Sequence, residues 1–134
     1  MDFDMVTIRD DVSLEVVSRY LRRFDELPDH TDKLFVVDTE GLLKGVLPIK
    51  KLLVGSPDEM VIDVMSDDPV VFDPADDAGE AAQAFERYDL VSAPVVDALG
   101  HLCGRLTIDE MVDYIREESE AEVLNAAGLR EEED

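Results

Sequence analysis

The stretch from Leu34 to Leu53, LFVVDTEGLLKGVLPIKKLL, recurs 59 residues later and without a gap as Ala93 to Val112, APVVDALGHLCGRLTIDEMV. Eight of the twenty pairs are identical: Val36/Val95, Val37/Val96, Asp38/Asp97, Gly41/Gly100, Leu43/Leu102, Gly45/Gly104, Leu47/Leu106 and Ile49/Ile108. Others, such as Leu52/Met111 and Leu53/Val112, exchange one apolar residue for another. Self-similarity at a fixed period marks a tandem repeat, so the chain is constrained to fold as two copies of one unit.

Each copy has the pattern of a hairpin. A β-rich run (Phe35 to Val37, Pro94 to Val96) meets a short turn ending in glycine (Asp38 to Gly41, Asp97 to Gly100), and a second apolar run follows. A helix start comes directly after. In the second copy Thr107 and Glu110 stand at capping-box spacing; in the first, Pro48 suits the first helical turn, where its missing N–H costs nothing.

The rest of the chain extends the symmetry. Val6 to Ile8 reads as a short strand, and Leu14, Val17, Leu21 and Phe24 recur at steps of three and four, predicting an amphipathic helix over about 13–25 begun by Asp11 or Ser13. Its counterpart is expected from about Ala78 to Tyr88, with Ala78, Ala81, Ala82 and Phe85 inward, and Val70 to Phe72 is the counterpart of the opening strand. Repeat 1 carries extra residues after its helix, Glu26 to His30, expected as a surface-loop insertion. Ser56 to Glu59 repeats the capping-box pattern and should open a short linking helix through Met60 to Met65. The boundaries are therefore 1–59 for repeat 1, 60–128 for repeat 2 with a linker helix and a long acidic last helix, and 129–134 for a disordered end.

At 134 residues and 46% apolar content the chain can bury a real core. No apolar run approaches the roughly 20 residues that span a bilayer, and the first residues lack the pattern of a signal peptide. The single cysteine, Cys103, lies in an apolar strand and is expected to be a small buried thiol. Thirty-four acidic against 12 basic side chains, net −22, leave no basic footprint for nucleic acid or an anionic membrane. The acidity is uneven: 13 acidic and 8 basic residues up to position 59, 21 and 4 beyond it.

Much of that acidity falls in the last helix, where Asp109, Glu110, Asp113, Glu117, Glu118, Glu120 and Glu122 crowd together. Like charges three or four apart cost a helix a few tenths of a kcal/mol per pair. One reading is a solvated face on an acidic protein. The other is a surface for a hard divalent cation, which binds oxygen ligands and would remove the repulsion; magnesium, which keeps several waters, suits few fixed ligands. His30 and His101 are far from each other in sequence and no serine lies in a nucleophile-elbow pattern, so neither a zinc site nor an enzyme is expected.

The order strand, helix, strand, strand, helix, given twice, together with Ile62 to Met65, Val70 to Pro74, Pro94 to Asp97 and Gly104 to Thr107, resembles the cystathionine-β-synthase (CBS) domain pair over residues 5–122. Within that superfamily the chain is similar to the cytosolic CBS module of MgtE-type magnesium transporters. That match is carried by Phe35 to Asp38, Leu43 to Leu47, Glu86 to Asp89, Leu106 to Asp113 and Asn125 to Gly128. The resemblance implies an α/β (α+β) fold, each repeat a small sheet of about three strands packed with two helices. It implies a noncatalytic, homodimeric module on the cytoplasmic side of an inner-membrane protein, partnered by N-terminal and transmembrane domains absent from this sequence.

It also implies residues. The family's magnesium-contacting carboxylates fall on Asp77, Asp89, Glu110, Asp113, Glu118 and Glu122, while one further acidic position falls on Ala121, beside Glu120. An adenine nucleotide such as ATP, held by CBS modules through a hydroxyl and a carboxylate three residues on, would meet Thr107 and Glu110, with glutamate replacing the usual aspartate. A capping box accounts for the same two residues with no ligand. In repeat 1 the equivalent pair is Pro48 and Lys51, and proline has no hydroxyl to clamp a ribose. The expectation is thus a magnesium-sensing module; the alternatives are an adenine-nucleotide sensor and an interaction module without ligand.

Overall fold

The computed structural model describes residues 1–114. In chain order these form β1 (Thr7–Arg9), α1 (Leu14–Leu21), β2 (Lys33–Val37), β3 (Leu43–Pro48), α2 (Ile49–Val54), α3 (Val61–Val64), α4 (Ala78–Tyr88), β4 (Ser92–Val96) and β5 (Leu102–Thr107). A further helix begins at residue 108. This is the expected α/β architecture, with a three-stranded sheet β1-β2-β3 and a two-stranded sheet β4-β5.

The duplicated residues build duplicated turns. Asp38 Oδ1 accepts from the amides of Glu40 (2.8 Å) and Leu42 (3.1 Å), and Asp97 Oδ1 does the same for Leu99 and His101 (2.9 Å each). Gly41 and Gly100 supply the positive φ the turn needs, 83° and 90°. A β-bulge sits at the same place in both hairpins, between Val36 and Val37 and between Val95 and Val96.

The helices differ from expectation at their ends. Ser13 is the N-cap of α1, its side chain accepting from Val16 N, and Leu14 and Val17 are buried. The helix closes at Arg22 rather than 25, because the next turn tightens: Arg23 N bonds Tyr20 O and Phe24 N bonds Leu21 O, both 3.1 Å. Pro48 is the N-cap of α2, one position earlier than expected, still extended at ψ 138° as the last residue of β3. The Ser56–Glu59 box forms only in part. Glu59 takes the Ser56 amide at 2.6 Å, but Ser56 Oγ turns to Asp58, so the residues close a turn and α3 starts later, at Val61. The Ala78–Tyr88 helix has the expected bounds. Residues 70–72 contribute a single parallel bridge, Phe72 to Val95, instead of a strand. Cys103 is half-buried, its Sγ 3.5 Å from His101 O.

Two cores result. Val6, Ile8, Leu14, Val17, Leu34, Val36, Leu47, Leu52 and Val61 form one. Phe72, Ala81, Ala82, Phe85, Ala93, Val95 and Met111 form the other, with Phe72 and Phe85 stacked at 5.7 Å.

A pseudo-twofold relation joins them, and it is written in reciprocal hydrogen bonds between the repeats. Leu43 N donates to Gly100 O (3.0 Å) and Leu102 N to Gly41 O (3.1 Å). Lys33 Nζ donates to the carbonyl of its own counterpart, Ser92 (2.7 Å), and Ser92 Oγ donates to Asp32 (2.7 Å). The repeats also exchange edges. Asp2, ahead of β1, pairs with Arg105 of β5 through two backbone bonds of 2.8 Å; Ser66, ahead of α4, pairs with Val46 of β3 at 2.8 and 2.9 Å. Gly45 and Gly104 make the exchange possible. A Cβ on Gly45 would lie 2.3 Å from Ser66 O, and one on Gly104 would lie 2.8 Å from Met1 Cγ.

Candidate ligand cleft between the repeats

Thr107 ends β5 and is buried, with Glu110 one turn into the last helix. The backbone N–H of Thr107 donates to Glu110 Oε1 (3.1 Å), the carboxylate half of the expected capping box. The Thr107 hydroxyl is shared between Glu110 Oε1 (3.0 Å) and Asp109 Oδ1. That hydroxyl, opposed by partial burial and helped by the charge of His30, holds the Asp109 carboxyl below its ordinary range.

Beneath them lies Arg105, 3% exposed, which draws three chain segments together. Its Nε donates to Asp2 Oδ2 (2.9 Å), and its two terminal nitrogens donate to the carbonyls of His30 (3.0 Å) and Asp29 (2.6 Å). The Glu26 to His30 insertion is therefore tied to repeat 2 by its backbone. His30 adopts φ 61°, and its Nε2 lies 3.5 Å from Asp109 Oδ1. Burial pushes the Asp2 carboxyl up, but the Asp4 amide and Arg105 more than offset it, leaving it below the usual carboxylate value.

These groups line a cavity of about 400 Å3: Met1, Asp2, Asp4, Asp29, His30, Arg105, Thr107, Asp109 and Glu110. A second cavity, of about 200 Å3, opens on the other side of Met1 and Glu110 against Asp73, Pro74, Asp76, Ala81, Leu106, Met111 and Tyr114. Thr107 and Glu110, expected together, are together. In repeat 1 Pro48 and Lys51 hold the equivalent places, and Lys51 Nζ reaches Val64 O at 3.4 Å.

The carboxylates marked as magnesium contacts are distributed. Asp77 is the N-cap of α4 and accepts from Glu80 N (3.1 Å). Asp89 closes the same helix at φ 52°, with Leu90 N bonded to Phe85 O (2.9 Å), so the two stand at opposite ends of the helix, about 18 Å apart at 1.5 Å per residue. Asp113 is exposed, one turn beyond Glu110. Glu118 and Glu122 lie outside the described residues, as does the 129–134 end. Among the described residues no three His, Cys, Asp or Glu side chains converge on one point. Oxygen donors of this kind fit a hard cation, each supplying one or two ligands with water completing the shell.

Sequence reasoning did not find Asp2, His30 or Arg105. One signal was available: Arg105 replaces Val46 at a buried position in otherwise matching hairpins, and a buried charge needs partners.

Comparison with known proteins bears on the fold. A model of the CBS domain matches residues 61–117. The magnesium transporter MgtE of Thermus thermophilus is 32% identical over 120 residues, 90% of this chain and 27% of the transporter. Among solved structures, the soluble part of a magnesium transporter superposes with TM-score 0.82 at 27% identity, covering 87% of this chain and 45% of that one. The cytosolic domain of the Mg2+ channel MgtE in complex with ATP superposes with TM-score 0.77 at 34% identity, covering 82% and 44%. The chain is a pair of CBS domains. It is similar to the cytosolic CBS region of MgtE-type magnesium transporters, and it spans about a quarter of the length of the curated transporter it matches. Among the described residues no helix is long and apolar enough to cross a membrane.

Proposed function

We propose that this chain is the magnesium-sensing regulatory module of an MgtE-type transporter, acting as a homodimer on the cytoplasmic side and catalysing nothing itself. The observation that carries the proposal is sequence similarity to MgtE over 90% of the chain, in a protein whose net charge is −22. The mechanism is electrostatic. Acidic surfaces of two subunits, or of this module and its neighbouring domains, repel; a divalent cation shared by their carboxylates lets them approach, so the ion sets the balance of two arrangements.

Of the six assigned carboxylates, Asp77, Asp89, Glu110 and Asp113 lie among the described residues, and no three of them converge on one point there. Magnesium should raise the melting temperature at concentrations where sodium chloride of equal ionic strength does not, because binding to the folded state alone stabilises it by mass action. The variant Asp113→Asn, Glu118→Gln, Glu122→Gln should be more stable without magnesium and gain less from it. Equal shifts in magnesium and sodium chloride would refute sensing by this module.

A second reading is favoured by one observation, the ATP-bound structure of the MgtE cytosolic domain at 34% identity. The Thr107 cleft would then hold an adenine nucleotide, with Thr107 and Glu110 at the ribose. Thr107→Val should weaken ATP binding in calorimetry, with helix stability as control, since a lost cap costs about 0.5–2 kcal/mol. Absence of heat with wild-type protein at millimolar ATP would retire this reading.

A further inference from the structure

β1 is the outer strand of its sheet, and its outer edge is open. The parallel register is Thr7 to Phe35 and Arg9 to Val37, with Phe35 N bonded to Val6 O (3.1 Å), so Thr7 and Arg9 turn their backbone N–H and C=O groups away from β2. Among the described residues nothing pairs with that outward row. The counterpart in repeat 2 presents no strand, since residues 70–72 make only the bridge from Phe72 to Val95. An edge of three residues holds a partner only if side chains anchor it as well.

The anchorage lies beside it. A mostly apolar groove of about 210 Å3 is lined by β1 on one side and by Val12, Val16, Val17 and Tyr20 on the other. Val16 and Tyr20 are 38% and 39% exposed, although the opposite face of α1 is buried through Leu14 and Val17. Arginines surround this apolar surface: Arg9, Arg19, Arg22 and Arg23 are all exposed. Arg9 is held by Asp11 at 2.7 Å, but Arg19, Arg22 and Arg23 have no carboxylate partner among the described residues, in a chain with 34 acidic side chains. Arg19 stands three residues from Val16, the spacing of neighbours on a helix surface; Arg22 caps the helix and Arg23 follows it.

We propose that this face docks an extended acidic segment of a partner protein, laid along β1 as an added strand, with alternate apolar side chains in the groove and carboxylates on Arg19, Arg22 and Arg23. Strand addition supplies the open backbone row with partners, and the groove beside it reads every second side chain. The net charge of −22 does not oppose this, because charges more than about 8 Å away are largely screened at physiological ionic strength and the arginines set the local field. The same face of a second copy is a poor occupant: a twofold contact of the patch with itself sets arginine against arginine. The surface uses none of the carboxylates assigned to magnesium and no part of the cleft beside Thr107.

The test uses the full chain and synthetic peptides of sequence EELEVEE, KKLKVKK and EESESEE, the second reversing the charge and the third removing the apolar side chains. EELEVEE should slow hydrogen exchange at the amides of Thr7 and Arg9 about fivefold or more, while Ile8, already facing β2, stays unchanged. Val16→Asp, and separately Arg19→Glu with Arg23→Glu, should each weaken its binding about tenfold, with urea unfolding as the check that these exposed substitutions leave the fold intact. No slowing at Thr7 and Arg9 with millimolar EELEVEE, or equal slowing with either other peptide, overturns the proposal. Slowing that grows with protein concentration in the absence of peptide gives the groove to a second copy and overturns it as well.

Discussion

Gly45 and Gly104 occupy the same place in two hairpins, yet alanine should be tolerated very differently at each. At Gly45 the new Cβ would sit 2.3 Å from Ser66 O, against the ~3.3 Å or more of an ordinary carbon–oxygen contact, so the edge must retreat by about 1 Å. That retreat breaks the reciprocal Val46–Ser66 bonds of 2.9 and 2.8 Å, worth about 1 kcal/mol each, and adds overpacking of about 1–3 kcal/mol. Loss of glycine's freedom in the unfolded chain returns about 0.4–1 kcal/mol. The net cost of Gly45→Ala is about 2–4 kcal/mol. At Gly104 the first contacts are the end of a flexible methionine, and Asp2 O at 3.0 Å needs to yield only a few tenths of an ångström, so Gly104→Ala should cost about 0–1 kcal/mol. Urea unfolding of the two variants beside wild type measures the difference, with Tm as a second readout moving about 3–5 °C per kcal/mol at this chain length. Equal destabilisation, or a larger loss at Gly104, would refute the account of the two edges.

Arg105→Met should destabilise by about 2–3 kcal/mol in the same assay, because a guanidinium 3% exposed leaves behind the Asp2 carboxylate and two loop carbonyls; a change under about 0.5 kcal/mol would show that the three segments do not depend on it. Asp2 and Asp109 titrate below their ordinary values when folded, so the stability they contribute is fully present above the unfolded aspartate pKa of about 3.9 and is lost as pH falls below it. Acid unfolding of Asp2→Asn should accordingly be less steep than that of wild type below about pH 4, while an unchanged slope would remove Asp2 from the account.

How much of this was legible depended on whether the repeat was in register. From Leu34 and Ala93 onward the offset is constant, so turns, glycines and hairpin pairing followed directly from identical residues. Ahead of the hairpins the offset is 64, because repeat 1 holds five extra residues, and the matches Met1/Met65, Asp4/Asp68 and Val6/Val70 are too sparse to announce themselves. The edge exchange was hidden for that reason, and also because a single bridge leaves no period to detect. Helix ends were misplaced where chain geometry overrode pattern: Phe24 keeps its place against the core although the helix has already tightened at Arg22. The Arg105 contacts were illegible because two of its acceptors are backbone carbonyls, which any sequence could supply. Thr107 and Glu110 were legible because a capping box and a ligand clamp need the same spacing.

The departures from symmetry have a pattern of their own. Positions that keep the two hairpins alike, from Val36/Val95 to Leu47/Leu106, carry turns and cores; among those that differ in chemistry, Val46/Arg105, Pro48/Thr107, Lys51/Glu110 and Ser66/Asp2 gather around one cleft. The five-residue insertion ends there as well, at Asp29 and His30. On the repeat 1 side the same positions offer an apolar side chain, a proline without hydroxyl or N–H, and a lysine already turned to the Val64 carbonyl. A fold with a twofold axis provides two seats, but these substitutions leave a threonine hydroxyl and a carboxylate three residues on at only one. Any nucleotide the module takes should therefore bind at one per chain. Calorimetry at fixed protein concentration reads the number directly, and two equivalent sites per chain would mean that the cleft beside Pro48 works without a hydroxyl and that the asymmetry serves only the exchanged edges.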